Sequence, residues 1–186
     1  MRVLLACEFS GVVRRAFHRA GHYAYSCDLL PSDDGSEQHF IGDVRHLLKA
    51  DPSWDMMIAF PPCTHLAVSG ARWFKDKQIE QQLAIIFAEQ LWNSGVPRIA
   101  IENPVGVLST RSTMGKPTQI IQPWMFGHGE KKTTCLWLKG LPILAPTDIV
   151  SGRVPRVHFE SPGPDRWKRR SITYAGIADA MAQQWG

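Results

Sequence analysis

A chain of 186 residues with 44% hydrophobic and 20% charged residues is globular in composition and sized for one ordinary domain. No apolar run approaches the roughly 20 residues of a membrane span, and Glu8 cuts short the apolar opening, so neither a membrane protein nor a secretory signal is expected, and the cytoplasm is the expected compartment. The four cysteines lack zinc-site spacing, so reduced thiols and no metal are expected, while a net charge of +4 suits a polyanionic partner without demanding one.

Residues 2–7 are an apolar, β-rich run, and Glu8-Phe9-Ser10-Gly11 supplies turn residues before a helix with Val12, Val13, Ala16, Phe17 and Ala20 on one stripe and arginines opposite. Tyr23 to Asp28 reads as a second strand ending on an acid. Strand, glycine-bearing turn, helix, and a strand ending in a carboxylate form the plan of a Rossmann-like nucleotide site, with Asp28 placed for ribose hydroxyls. Only Gly11 is present in the turn, so the three-glycine dinucleotide fingerprint is absent. Pro31 to Gln38 is a polar connection that either covers a ligand or is mobile. Asp43 reads as a helix N-cap before Val44 to Ala50.

Met56 to Phe60 is consecutively apolar, as in a strand covered on both faces, and Pro61 and Pro62 end it. Cys63 then sits just past a strand end, where open α/β sheets bind ligands; the alternative is a small buried hydrophobe. Ser69 to Phe74 reads as an exposed aromatic and basic segment. An amphipathic helix over 79–94, with Leu83, Ile86, Phe87, Gln90 and Leu91 on its stripe, stops at Gly95 and Pro97. Arg98 to Pro104 repeats the earlier design: an apolar strand ending in Glu102, Asn103 and a proline. Thr118 to Pro123 reads as a short strand, and Gly127 to Leu138 as a turn that becomes an alternating strand. Arg153, Arg156, Arg166, Lys168, Arg169 and Arg170 are interleaved with His158, Phe159 and Trp167, a mixture that suits phosphates and exposed bases or a solvated basic loop. A terminal amphipathic helix follows. Alternating strands and helices without repeats imply an α/β fold with a mainly parallel sheet.

Pro62-Cys63 after one strand and Glu102-Asn103 after a later one resemble the catalytic motifs of the DNA cytosine-C5 methyltransferases, and the chain is identified as a compact, phage-like member of that family. The family usually has Gly-Phe-Pro-Cys-Gln and Glu-Asn-Val, where this chain has Phe60-Pro61-Pro62-Cys63-Thr64 and Glu102-Asn103-Pro104. The resemblance covers nearly the whole chain in motif order. It implies a Rossmann-like S-adenosylmethionine-dependent methyltransferase fold with helices on both faces of the sheet. By the same resemblance Glu8, Phe9, Ser10 and Gly11 form the cofactor turn, with its first glycine replaced. Asp28 would hold the ribose and Asp43 face the adenine, and Phe60, Pro61, Thr173 and Gly176 would complete the cofactor pocket. Where the family has Gln-x-Arg-x-Arg, this chain has Glu130, Lys131 and Lys132.

The implied chemistry is addition of the Cys63 thiolate to cytosine C6, with Glu102 relieving charge at N3 and Asn103 steadying the loop. His65 and Arg72 are candidates for lowering the thiol pKa. Arg72, Lys131, Lys132, Arg169 and Arg170 are the expected substrate contacts. The whole of 1–186 reads as one methyltransferase-like domain, with 141–170 a short basic insertion in place of a large target-recognition domain. The expected partner is therefore DNA, duplex or single-stranded, read by the basic segment or by a homodimer. The alternatives are cytosine C5 modification of a free nucleotide, or an inactive relative that binds cofactor or DNA.

Overall fold

A computed structural model describes all 186 residues apart from the side chain of Trp73. Its strands are β1 (Arg2–Ala6), β2 (Tyr23–Asp28), β3 (His39–Ile41), β4 (Met56–Ala59), β5 (Arg98–Pro104), β6 (Gln119–Ile121) and β7 (Thr134–Lys139). Its α-helices are α1 (Val12–Arg19), α2 (Val44–Ala50), α3 (Gln78–Trp92), α4 (Leu108–Arg111), α5 (Arg156–Phe159), α6 (Arg166–Ser171) and α7 (Ala175–Trp185). One sheet holds all seven strands in the order β3-β2-β1-β4-β5-β7-β6, with β7 antiparallel to both of its neighbours and the other pairings parallel.

The consecutive apolar strands are explained by burial on both faces. Side chains alternate across a strand, so Val3, Leu5, Met56 and Ile58 pack with α1 and α7 through Val13, Phe17, Ile177 and Met181. Leu4, Met57, Ile99 and Ile101 point the other way, into a second core with Val44 of α2 and Ile85, Ala88 and Leu91 of α3. Ala6 pairs with both Cys27 and Ala59, and Ala59 with Ile101, so β1, β2, β4 and β5 end along one edge of the sheet. Strand order reverses between β1 and β4. That is the switch point where the loops diverge and leave a crevice.

Several sequence expectations are corrected. Arg14 does not face solvent: it is 1% exposed, and its guanidinium donates to Ser26 Oγ at 2.6 Å and to Asp34 at 2.5 Å, while Ala20 is exposed. A buried cation is tolerated because the Pro31–Gln38 connection brings it a carboxylate. Asp34 also pairs with Arg15, and the Asp33 amide donates to the Phe9 carbonyl at 2.9 Å, so this connection is fastened over the start of α1. Helix α3 keeps only part of the expected stripe inward: Leu91 is buried and Phe87 packs against the core, but Gln81, Ile85 and Ala88 are the other buried positions, whereas Leu83 is 61% exposed. The Gln81 amide donates to the His65 carbonyl at 2.9 Å, which fixes the rotation of the helix. Strand β7 buries four consecutive residues, Thr134 to Trp137, instead of alternating, because it lies between β5 and β6 with cores on both faces. The side chain of Trp73, in the segment read as exposed, lies outside the described residues. No described helix is long and apolar enough to cross a membrane.

Candidate active site

The loops that follow β1, β4 and β5 meet in a cavity of about 400 Å³, closed on its far side by Lys132, α5 and the residues entering α7. Cys63 and Glu102 both line it. Each is delivered by a strand that cannot continue: β4 runs into Pro61 and Pro62, and β5 ends at Pro104.

The two loops are locked to each other. The Asn103 side-chain amide, 1% exposed, donates to the Pro61 carbonyl at 2.8 Å and so fixes the approach to the thiol. Beyond it, the Leu66 and Ala67 amides both donate to the Cys63 carbonyl, at 3.0 and 2.9 Å, closing a tight turn. That turn is bonded to the second loop through Val107 N–H to the Leu66 carbonyl at 2.9 Å and Val68 N–H to the Val105 carbonyl at 3.0 Å. Gly106 allows this approach, since a Cβ there would stand 2.1 Å from the Leu66 carbonyl oxygen.

Cys63 is open to the cavity but set in a concave wall, and desolvation pushes its thiol pKa up. The Glu102 carboxylate raises it further, while Lys132 and Arg170 act against both. Lys132 and Arg170 are thus cations that act on the thiol. Burial likewise raises the Glu102 carboxyl, and Lys132 partly offsets it. Lys132 is held by a bond from Nζ to the Ile172 carbonyl at 3.3 Å. Arg170 lines the cavity with its Nε buried and unpartnered.

The turn after β1 forms the opposite wall. Glu8 is 5% exposed; its Oε1 accepts from the Val13 amide at 2.8 Å and from Ser10 Oγ at 3.2 Å, which satisfies the start of α1. Its Oε2 is buried and has no partner, so one acceptor of the cavity wall awaits a donor. Burial raises the Glu8 carboxyl as well. Gly11 begins α1 with φ 68°, a left-handed position that favours glycine.

Of the residues singled out from the sequence, the cavity brings together Glu8, Phe9, Ser10, Phe60, Pro61, Cys63, Glu102, Asn103, Lys132, Arg170 and Thr173. The others stand outside its lining. Asp28 lies half-buried at the end of β2, its carboxyl raised by burial and its Oδ1 accepting from the Leu30 amide at 3.0 Å. Asp43 caps α2, accepting from the Arg45 amide at 2.9 Å, and the Arg45 guanidinium holds its carboxyl down at about 2. Gly176 has no room for a Cβ against the Phe126 carbonyl, and its amide donates to His128 Nε2 at 3.0 Å, so the glycine is explained by packing. Arg169 is paired with Glu160 at 2.7 Å, and Lys131 and Arg72 are exposed away from the cavity lining.

His158, named from the sequence within the basic and aromatic mixture, also lines the cavity, and sequence reasoning missed Cys7 and Val157 there. Cys7 has φ 60°, a left-handed conformation for which its sequence context gives no sign. It also missed Leu29 and Ile41, 75% and 67% exposed just past Asp28 and at the end of β3, an apolar pair beside a carboxylate. Exposed leucine and isoleucine at strand ends were the available signal. Among the described residues no cluster of three or more His, Cys, Asp or Glu side chains could hold a metal.

No protein-family model and no curated protein matches the chain. Solved structures do. One is a prophage-encoded protein of E. coli described as a DNA modification methyltransferase: 15% identity, TM-score 0.53, with 87% of this chain matched to 55% of that one. Another is the Entamoeba histolytica methyltransferase EhMeth, at 13% identity and TM-score 0.56, with 88% of this chain matched to 60% of that one. This chain therefore spans little more than half the length of either, and the likeness is one of architecture. Together with the seven-stranded order and its single antiparallel strand, it shows that the chain has a Rossmann-like methyltransferase fold.

Proposed function

We propose that the chain is an enzyme that transfers a methyl group from S-adenosylmethionine to C5 of cytosine in DNA, with Cys63 as the nucleophile. The observation that carries this reading is the convergence of Cys63 and Glu102, from two strand ends at the switch point, on one cavity. Cytosine C5 is a weak nucleophile. Addition of a thiolate at C6 makes it reactive, and the charge pushed onto the ring reaches N3. A carboxyl group that keeps its proton can donate to N3 as that charge develops, and burial favours the protonated form of Glu102. Lys132 and Arg170 favour the thiolate of Cys63. Asn103 fixes the loop through Pro61 and so holds the sulfur in place. After transfer, loss of the C5 proton and of the thiolate from C6 restores the ring and the enzyme.

S-adenosylmethionine supplies a methyl group activated by a positive sulfonium. The residues present fit it: the unpartnered Glu8 Oε2 is an acceptor for its ammonium or hydroxyl groups, and Phe9 and Phe60 offer apolar surface. Asp28, with exposed Leu29 and Ile41 beside it, suits a nucleoside.

The test is incubation of the protein with labelled cofactor and, separately, duplex DNA, single-stranded DNA, RNA and deoxycytidine monophosphate. Label on DNA cytosine C5 is expected, with Cys63→Ser abolishing transfer while cofactor affinity is unchanged. DNA containing 5-fluorocytosine should form an adduct that mass spectrometry locates on Cys63, because fluorine at C5 cannot leave as a proton. Full activity in the serine variant, or an adduct elsewhere, would overturn the assigned nucleophile. Asp28→Ala is expected to weaken cofactor binding by about 1–3 kcal/mol in calorimetry, the scale of a lost charged hydrogen bond.

A further inference from the structure

The segment that stands in place of a large recognition domain folds back over the cavity and holds most of its basic side chains in contacts of its own. Arg153 stacks on Trp124 at 3.9 Å, Arg156 pairs with Glu130 at 3.2 Å, and Arg169 pairs with Glu160 at 2.7 Å. Arg166 donates to the carbonyls of Glu160 and His158, at 2.8 and 3.2 Å, and ties α6 to α5. Arg153 and Arg166 have no carboxylate partner but are held by backbone carbonyls, whereas Lys168 and Arg170 have neither a carboxylate nor a side-chain hydrogen bond among the described residues. Arg170 faces into the cavity, whereas Lys168 lies over the Phe9 ring at 5.6 Å.

What the segment exposes is aromatic. Phe159 is 75% exposed and Trp167 54% exposed, although nothing in either core uses them. Phe159 follows His158, which lines the cavity, and Trp167 lies one turn before Arg170, which also lines it. Trp167 is held edge-on against Phe9, with ring centroids 6.1 Å apart, so it stands behind a residue of the cavity wall. Two large rings displayed at the rim of a nucleotide-sized cavity, with few free cations around them, match the surface that stacks unpaired bases. Duplex DNA keeps its bases inside the stack and presents phosphates, for which this rim has few cations to spare.

We propose that the rim formed by α5 and α6 binds single-stranded DNA, with Phe159 and Trp167 stacking on bases next to the one that enters the cavity. The proposal rests on the cytosine reading for the base inside the cavity. The rings and charges outside it are independent of that reading.

The test is fluorescence anisotropy of the full chain with a labelled oligonucleotide as single strand, as duplex and as RNA, and quenching of 2-aminopurine placed beside the target cytosine. The single DNA strand is expected to bind at least tenfold tighter than the duplex or the RNA, with 2-aminopurine quenched. Phe159→Ala and Trp167→Ala should each weaken binding about 5- to 150-fold, while Phe159→Tyr and Trp167→Phe retain most of it, which separates lost stacking from lost folding. The log–log salt slope should be near about −1.4, two phosphates at about −0.7 each. Equal or tighter binding of duplex or RNA, or wild-type binding by both alanine variants, would overturn the proposal. Binding is read without methyl transfer, so the two readings fail separately. Strand binding without transfer would overturn the reaction and leave this surface; transfer to duplex without strand binding would do the reverse.

Discussion

Cys63 and Glu102 oppose each other electrostatically: a negative carboxylate beside a thiol disfavours the thiolate, and a thiolate would disfavour the carboxylate. Lys132 favours the charged form of both. Glu102→Gln should therefore lower the apparent pKa of Cys63, and Lys132→Met should raise it. The measurement is the pH dependence of iodoacetamide alkylation, read at the Cys63 peptide by mass spectrometry. Shifts in the opposite directions would show that other charges control the thiol. Because burial raises the thiol to begin with, alkylation of the wild type should increase with pH above neutrality. The two groups were legible in the sequence, since each follows an apolar run stopped by proline. The cations were not, because Lys132 and Arg170 reach the thiol only through tertiary folding. Arg14 is the other residue that sequence reasoning misplaced. Its partner Asp34 is 20 positions away, outside any helical periodicity. Asp34→Ala should leave a buried guanidinium with only the Ser26 and Ser32 hydroxyls and cost about 3 kcal/mol in urea denaturation, the lower end for a broken buried pair because Asp34 is itself partly exposed.

At the scale of elements, α2 and α3 show what local pattern does and does not specify. Helix α2 begins after Asp43 as read from the sequence, because an N-cap acts on amides two or three residues away. Asp43→Ala should cost about 0.5–2 kcal/mol. The folded pKa of Asp43 is depressed to about 2, so its stabilising contribution is present above its unfolded value and fades as pH falls through that window. Thermal melts at pH 7 should separate the variant from wild type, and melts near pH 2 should bring them closer. Helix α3 lies where periodicity places it, but its buried stripe is shared with the expected one only at Leu91 and, in part, Phe87. Leu83 and Ile85 are both apolar, and a repeat of 3.6 residues fits more than one face when apolar residues surround the helix. Contact of Ala88 with the sheet layer and the Gln81 bond to His65 select the face. Ile85→Ala should then cost about 2–5 kcal/mol and Leu83→Ala within about 0.5 kcal/mol, by chemical denaturation. Equal costs would mean that the helix is rotated from the described face. Strand β7 resisted reading for a related reason: only the sheet order reveals that it is a middle strand, covered on both sides.

Across the whole molecule the end of the chain returns to its beginning, and this joins stability to the site. Helix α7 packs with α1 in one core, reinforced by an Arg19–Asp179 pair at 2.6 Å on the surface. The residues entering α7, Ile172 and Thr173, line the cavity, while the turn entering α1 forms its opposite wall. Trp185, 2% exposed, anchors the far end of α7 and donates from Nε1 to the Pro142 carbonyl at 3.0 Å. Its loss removes a large buried ring and leaves an acceptor unpaired, so Trp185→Ala should cost about 3–5 kcal/mol. If α1, α7 and the sheet form one cooperative unit, circular dichroism and the exposure of Cys63 to alkylation should report a single urea transition that shifts together in the variant. Noncoincident transitions would instead show that the cavity wall formed by α5, α6 and the entry to α7 opens before the sheet unfolds. Trp185→Phe keeps most of the ring and loses the hydrogen bond. An intermediate loss in that variant, with the two probes still coincident, would attribute the larger part of the anchor to packing against the α1 face.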